Sequence, residues 1–236
     1  MCFSSQASFL VAGGLLPLGL TSLNACRRQQ RPDLLPLAVS PLVFALQQTL
    51  EGLVWLGLDH PDLTTAGGGV LSVSTTALAY LFFAYGFWLV WMPWSILRME
   101  PSLPPPRRRI VQAILVLGGL GGAGLWLPLL SQAPRLQPQV VAGSLAYSPP
   151  LLLDAWVNLA AGSSLYAAVI AGPLLLSDRP PLRGCGVVIL VAFLVTHLVY
   201  GHALTSVWCF FSAVLSAGFV WVVKGAEPRI QPEGSG

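Results

Sequence analysis

Seven apolar runs, most of them about twenty residues long, organise this chain: Ser8–Leu23, Pro36–Leu58, Val70–Trp91, Ile110–Leu130, Leu151–Leu176, Gly184–Ala203 and Val207–Val223. Hydrocarbon offers no partner for a bare N–H or C=O, so a segment crossing a bilayer must satisfy its backbone internally, and runs of this length do so as helices. Only 9% of the residues are charged, where soluble domains carry about a quarter. The expectation is an all-α polytopic membrane protein with seven transmembrane helices, in which residues 1–224 form one domain and 225–236 a short polar cytoplasmic tail.

The basic residues orient that bundle. Eleven of the twelve Lys and Arg residues fall on alternate connections: Arg27, Arg28 and Arg31; Arg98 and Arg107 to Arg109; Arg179 and Arg183; Lys224 and Arg229. Arg135 alone falls on the other side. Positive charge stays on the cytoplasmic face, which predicts the amino terminus outside, the carboxy terminus inside and a multi-pass location in a plasma (inner) membrane. The first run has no charge before it, which argues against a cleaved signal peptide. These loop clusters account for the net charge of +3, and no basic stripe with interleaved aromatics points to nucleic acid. The cysteines Cys2, Cys26, Cys185 and Cys209 show no CxxC spacing.

Inside the second run, Gln47, Gln48 and Glu51 interrupt the apolar pattern, and Trp55 follows four residues later on the same helical face. An ionised carboxylate in hydrocarbon costs several kcal/mol, so such an acid turns toward the bundle interior and marks a candidate site. With a rise of about 1.5 Å per residue, Glu51 lies about 10 Å and His197 about 9 Å below the outer surface, and Asp154 and Asn158 roughly 5 and 11 Å below it. Tyr200 is one helical turn from His197, while Cys209, Ser212, Ser72, Thr75 and Thr76 enter from the same side. The inner half of each run is nearly free of ionisable side chains. This pattern predicts an outer-leaflet polar pocket lined by Gln47, Gln48, Glu51, Trp55, Asp154, Asn158, His197 and Tyr200.

Plainer roles compete at each position. Glu51 serves equally as a neutral acid bonded to a neighbouring helix, His197 as an interhelical donor, and Asp154 as a favourable charge at a helix amino terminus. The serines and threonines commonly bond the carbonyl four residues back. Elsewhere, Gly118 and Gly122 predict a close helix contact, Trp88, Trp91 and Trp94 an interfacial belt, Ser131–Pro150 the longest connection, and Leu204–Ser206 a tight turn.

Two segments carry a resemblance. Cys2, Phe3, Ser4, Ala7, Ser8 and Phe9 match an opening of the form Met-Cys-Phe-Ser-Ala-Thr-Ala-Ser-Phe, and Gln47, Gln48, Glu51, Gly52 and Trp55 match Gln-Gln-x-x-Glu-Gly-x-x-Trp. In both, the chain resembles a family of uncharacterised bacterial integral membrane proteins. Ser5 and Gln6 depart from the opening pattern. The resemblance implies membership and brings no established activity.

Several function classes fall away. A retinal protein needs a lysine in the middle of its seventh helix, and the only lysine, Lys224, lies at the inner end. Membrane hydrolases of the ceramidase type hold zinc with three histidines, and no His-x-x-x-His exists here. A haem or quinone site wants paired histidines across helices, and transporters commonly show inverted repeats. Two readings survive. One is a binding or sensing protein whose outer pocket takes a small ligand, ion or proton. The other is a metal-dependent membrane enzyme in which Glu51, His197 and either Cys2 or Asp154 hold a divalent metal and a lipid-like substrate enters from the bilayer.

Overall fold

The structure, a computed structural model, describes residues 4–61, 72–133, 136–147 and 159–226, with the backbone alone at 159–161 and 202. Seven helical rods are described: α1 (Ser5–Arg28), α2 (Leu35–Asp59), α3 (Val73–Met99), α4 (Pro105–Gln132), α5 (Leu159–Leu175), α6 (Pro180–Val199) and α7 (Leu204–Lys224). Six are long and apolar enough to cross a membrane; the exception is α5, whose 17 residues span about 26 Å at the helical rise. Prolines sit inside several rods, including Pro17, Pro41, Pro93, Pro128 and Pro173. A helix among packed neighbours tolerates them because nearby groups can satisfy the carbonyl each proline frees.

The charged connections gather at one end of the bundle. Arg31 pairs with Asp33 at 2.8 Å, and Arg179 reaches the same carboxylate at 3.4 Å while donating to the Met99 carbonyl at 3.0 Å. Glu100 is buried and accepts from the Ser177 hydroxyl and, at 2.8 Å, from the Asp178 N–H. Arg107 pairs with Asp178 at 2.5 Å, and Gln29 donates to the Lys224 carbonyl at 3.2 Å. The α1–α2, α3–α4 and α5–α6 connections and the end of α7 therefore lie together. The opposite end carries the close of α2, the start of α3, the α6–α7 turn and a small hairpin.

That hairpin occupies part of what the sequence presents as an unbroken connection. Strand β1 (Gln139–Val141) pairs antiparallel with β2 (Ser144–Ala146), and the reversal falls on Ala142 and Gly143, with φ of 48° and 73°. Two successive positive φ values define a tight hairpin turn whose twist matches that of the strands. The β1 side chains are exposed and all three of β2 are buried, so β2 lies down on the bundle against α7 and the turn before it.

Helix α3 is longer and less regular than the apolar run suggests. Its middle, Phe82–Phe87, is π-helical, and the N–H of Trp88 bonds the Phe83 carbonyl five residues back. At about 100° per residue, Tyr80 and Trp88 would point about 80° apart on a regular helix. One residue absorbed by the wide turn brings them within about 20°. The Ala84 carbonyl accepts the Tyr166 hydroxyl of α5, and the Leu78 carbonyl accepts Trp126 Nε1 of α4 at 3.2 Å. The tryptophans of α3 are correspondingly no belt. Trp88 is buried and Trp91 donates to Ser40 Oγ at 3.1 Å, which leaves Trp94 as the exposed one.

The glycines of α4 do bring helices together. A Cβ at Gly118 would sit 2.3 Å from the Leu89 carbonyl oxygen, and one at Gly122 would sit 3.0 Å from that of Tyr85. At the far end of the chain, the tight turn falls on Gly201–Ala203 and not on Leu204–Ser206. Ser206 thus belongs to the first turn of α7.

Candidate functional site

Glu51 lies near the middle of the second half of α2 and is 2% exposed. Its Oε1 accepts from the Ser206 hydroxyl of α7, and its Oε2 accepts from Gln48 Nε2 at 3.2 Å. The Tyr80 hydroxyl of α3 lies against the same carboxylate and also donates to the Thr205 carbonyl at 3.4 Å. None of the ion pairs among the described residues involves Glu51. Its surroundings are neutral hydroxyls and an amide.

One turn deeper, Gln47 is fully buried and its Oε1 accepts Trp88 Nε1 at 2.7 Å. Trp88 in turn stacks on Phe44, with ring centroids 3.9 Å apart and planes 17° from parallel. The Cys209 thiol of α7 lies beside both the Tyr80 hydroxyl and the Gln47 amide. Above these groups, Tyr147 follows β2 and stacks on Tyr80 at 5.0 Å, and Tyr85 bonds the Thr205 hydroxyl at 3.2 Å. Burial first, then the neighbouring Glu51 carboxylate, pushes the Tyr147 phenol well above its ordinary range, so it stays a neutral hydroxyl. The hairpin and this ring cover the site from its own end of the bundle.

Hydrogen bonding is incomplete. Among the described residues, Gln47 Nε2, Gln48 Oε1, Trp55 Nε1 and the Tyr147 hydroxyl are buried without a hydrogen-bond partner. Native interiors leave few such atoms, and each unmade bond costs about 1–3 kcal/mol. Three of the four belong to the face of α2 that carries Glu51.

The structure brings Gln47, Gln48 and Glu51 together as one face of α2 and adds Trp55, buried four residues on. His197 is placed differently. It sits near the end of α6, half-buried, with its ring stacked on Phe193 at 5.7 Å and Nδ1 unpartnered, and neither a hydrogen bond nor an ion pair joins it to Glu51 among the described residues. Tyr200 lies beyond it, partly buried, with its N–H bonded to the Thr196 carbonyl at 2.7 Å. Cys2, Asp154 and Asn158 lie outside the described residues. Among the described residues, no three His, Cys, Asp or Glu side chains are grouped to hold a metal ion.

Sequence reading missed Ser206, Tyr80, Trp88 and Tyr147. Ser206 was hidden by an apparent turn, and Tyr80 and Trp88 by a π-helical turn that shifts the helical phase. Tyr147 stood in an apparent loop. The one legible hint was the spacing of Ser206, Cys209 and Ser212, three apart along α7.

A family model described as a family of unknown function (DUF6629) matches residues 1–232. The chain belongs to the DUF6629 family. Because the match spans both the Glu51 segment and α7, the DUF6629 unit contains every described group of the site. No curated protein and no solved structure matches the chain.

Proposed function

We propose that this DUF6629 protein is a seven-span membrane protein, amino terminus outside, that binds a proton or a small cation at Glu51 beneath the outer surface of a bacterial inner membrane. The observation that carries the reading is the neutral shell of Glu51: a carboxylate at 2% exposure with only hydroxyls and amides around it. An uncompensated charge there costs several kcal/mol, so the site is stable with a proton on the acid or a cation beside it. The unpartnered Gln48 Oε1 supplies a second neutral oxygen donor for a hard cation. The hairpin and Tyr147 restrict exchange with the outside, which suits a sensor or binder more than an open channel.

The seven-span arrangement is supported by the ends of the helices. Tyr147 stands at the Glu51 end, and Ser177, two residues after α5, stands at the Glu100 end. The gathering of basic connections at the other end supports that end as cytoplasmic.

Infrared titration of the detergent-purified protein tests the proposal. The wild type should show a carboxylic acid carbonyl band that changes with pH and is missing in Glu51→Gln. Added Na+, K+, Mg2+ or Ca2+ at fixed pH should diminish that band if a cation replaces the proton. A Glu51 band insensitive to both pH and cations would reduce the residue to a structural hydrogen bonder and overturn the reading.

A further inference from the structure

The basic end of the bundle carries more charge than it pairs. Its described residues hold ten cations against three carboxylates, Asp33, Glu100 and Asp178. All three acids are engaged: Asp33 with Arg31 and Arg179, Asp178 with Arg107, and buried Glu100 with the Ser177 hydroxyl and the Asp178 N–H. Arg98, in the last turn of α3, is exposed and joined by no ion pair among the described residues. Arg108, in the first turn of α4, donates to the Pro101 carbonyl at 3.2 Å, which turns its guanidinium back toward the connection from α3.

These two arginines head a groove in the apolar flank. Val90, Trp94 and Arg98 succeed one another at four-residue steps on α3, and all three are exposed. On α4, Arg108, Gln112 and Gly119 are spaced by four and then seven, which also keeps them on one face. The two faces adjoin, because a Cβ at Gly119 would meet Val90 Cγ2 at 3.9 Å. No other described atom comes within 4 Å of that point, so Gly119 floors an open channel, whereas Gly118 beside it faces Leu89 and Val169 of α5. Farther along, Phe82 of α3 meets Trp126 of α4 edge-on, with ring centroids 5.1 Å apart. Gln112 and Trp126 are about 21 Å apart at the helical rise, and an acyl chain covers about 15 Å, half the hydrocarbon core.

We infer that the α3–α4 groove binds an anionic phospholipid, its phosphate held by Arg98 and Arg108 and one acyl chain lying over Gly119 toward Trp126. Guanidinium groups match the geometry of a phosphate, and basic pockets between membrane helices recognise anionic headgroups. Trp94, 40% exposed, stands one turn inward from Arg98, at the level where an indole meets headgroups. The amine of a zwitterionic lipid finds no free carboxylate here among the described residues, and selectivity follows from that. The apolar floor below the arginines favours a lipid over a soluble anion. This site lies at the end of the bundle away from Glu51, and its occupancy does not depend on what Glu51 binds.

Native mass spectrometry of the full chain tests this, with the protein released from detergent micelles containing equal phosphatidylglycerol and phosphatidylcholine of the same acyl chains. The wild type should retain phosphatidylglycerol several-fold more than phosphatidylcholine. Arg98→Gln combined with Arg108→Gln should lose most of that preference. Arg27→Gln combined with Arg28→Gln, which removes the same charge from exposed positions at the end of α1, should keep it. Gly119→Leu leaves the arginines in place but fills the channel, and should weaken phosphatidylglycerol several-fold. Thermal midpoints in lipid-free detergent, expected to stay near that of the wild type, verify that each variant is folded. Equal retention of the two lipids by the wild type overturns the proposal. An equal loss in the two double variants also overturns it, because the preference would then belong to the overall charge of that end. Phosphatidylglycerol binding indifferent to Gly119→Leu refutes the groove and leaves only attraction to the headgroup.

Discussion

At the scale of single residues, the site is a balance between one acid and the donors aimed at it. Glu51→Gln keeps an oxygen for Ser206 and the side-chain shape, so its thermal midpoint in detergent should stay close to that of the wild type. Glu51→Leu removes both acceptors and strands the Ser206 hydroxyl and the Gln48 amide, a loss of about 1–3 kcal/mol for each group left unmade. The expected ordering is wild type and Gln together, with Leu several degrees lower; a Leu variant as stable as the wild type would show that these donors reach water. Trp88→Phe probes the deeper half. It leaves Gln47 Oε1 buried and unpaired and should cost a similar amount. Of the residues in this balance, Gln47, Gln48 and Glu51 were legible because a polar triplet in an apolar helix has nowhere else to go. Their partners were not. Serine, tyrosine and tryptophan are ordinary in membrane helices, and only the contact across α2, α3 and α7 gives them a role.

At the scale of elements, packing depends on where backbones can approach. Gly118→Val should push α3 from α4, because the new Cβ would meet the Leu89 carbonyl, which is backbone and cannot swing aside. Overpacking of this kind typically costs about 1–3 kcal/mol. Gly121→Ala has no atom within 4 Å of its added carbon and should be neutral or mildly stabilising, since alanine is the better helix former. A calorimetric scan of the pair checks the contrast; equal midpoints would mean the α3–α4 contact is loose. The hairpin makes a second prediction. In a chain whose sole cysteine is Cys209, a small thiol reagent should react slowly in the wild type and several-fold faster in Gly143→Val, where a β-branched residue must adopt φ of 73°. Equal rates would mean that the hairpin does not cover the site. The seven rods could be read from apolar length alone. The π-helical turn of α3 and the hairpin could not, because the first changes helical phase without a residue signature and the second buries only three residues, Ser144 to Ala146.

For the whole molecule, the governing fact is that the two ends differ while the flanks do not. The flanks are apolar outward: Leu120 of α4 is 68% exposed and Leu198 of α6 is 74% exposed, and each has similar neighbours along its helix. In water such bands would be an aggregation surface, so their natural cover is lipid. The ends are unlike each other. One holds the Arg31, Arg107 and Arg179 ion pairs and the other the hairpin over Glu51. Moving the basic end across a bilayer would carry most of the protein's cations with it, whereas the hairpin end has almost none to move, and the proposed orientation rests on this difference. Two single-cysteine variants of an otherwise cysteine-free chain read it directly. Val140→Cys on exposed β1 should react with a membrane-impermeant maleimide in intact cells, and Ser102→Cys in the exposed α3–α4 connection only after the membrane is opened. The reverse pattern would turn the molecule over and place Glu51 near the cytoplasm. Equal reaction of both in intact cells would mean that no bilayer separates the ends, and neither the orientation nor the sheltered acid could then be defended.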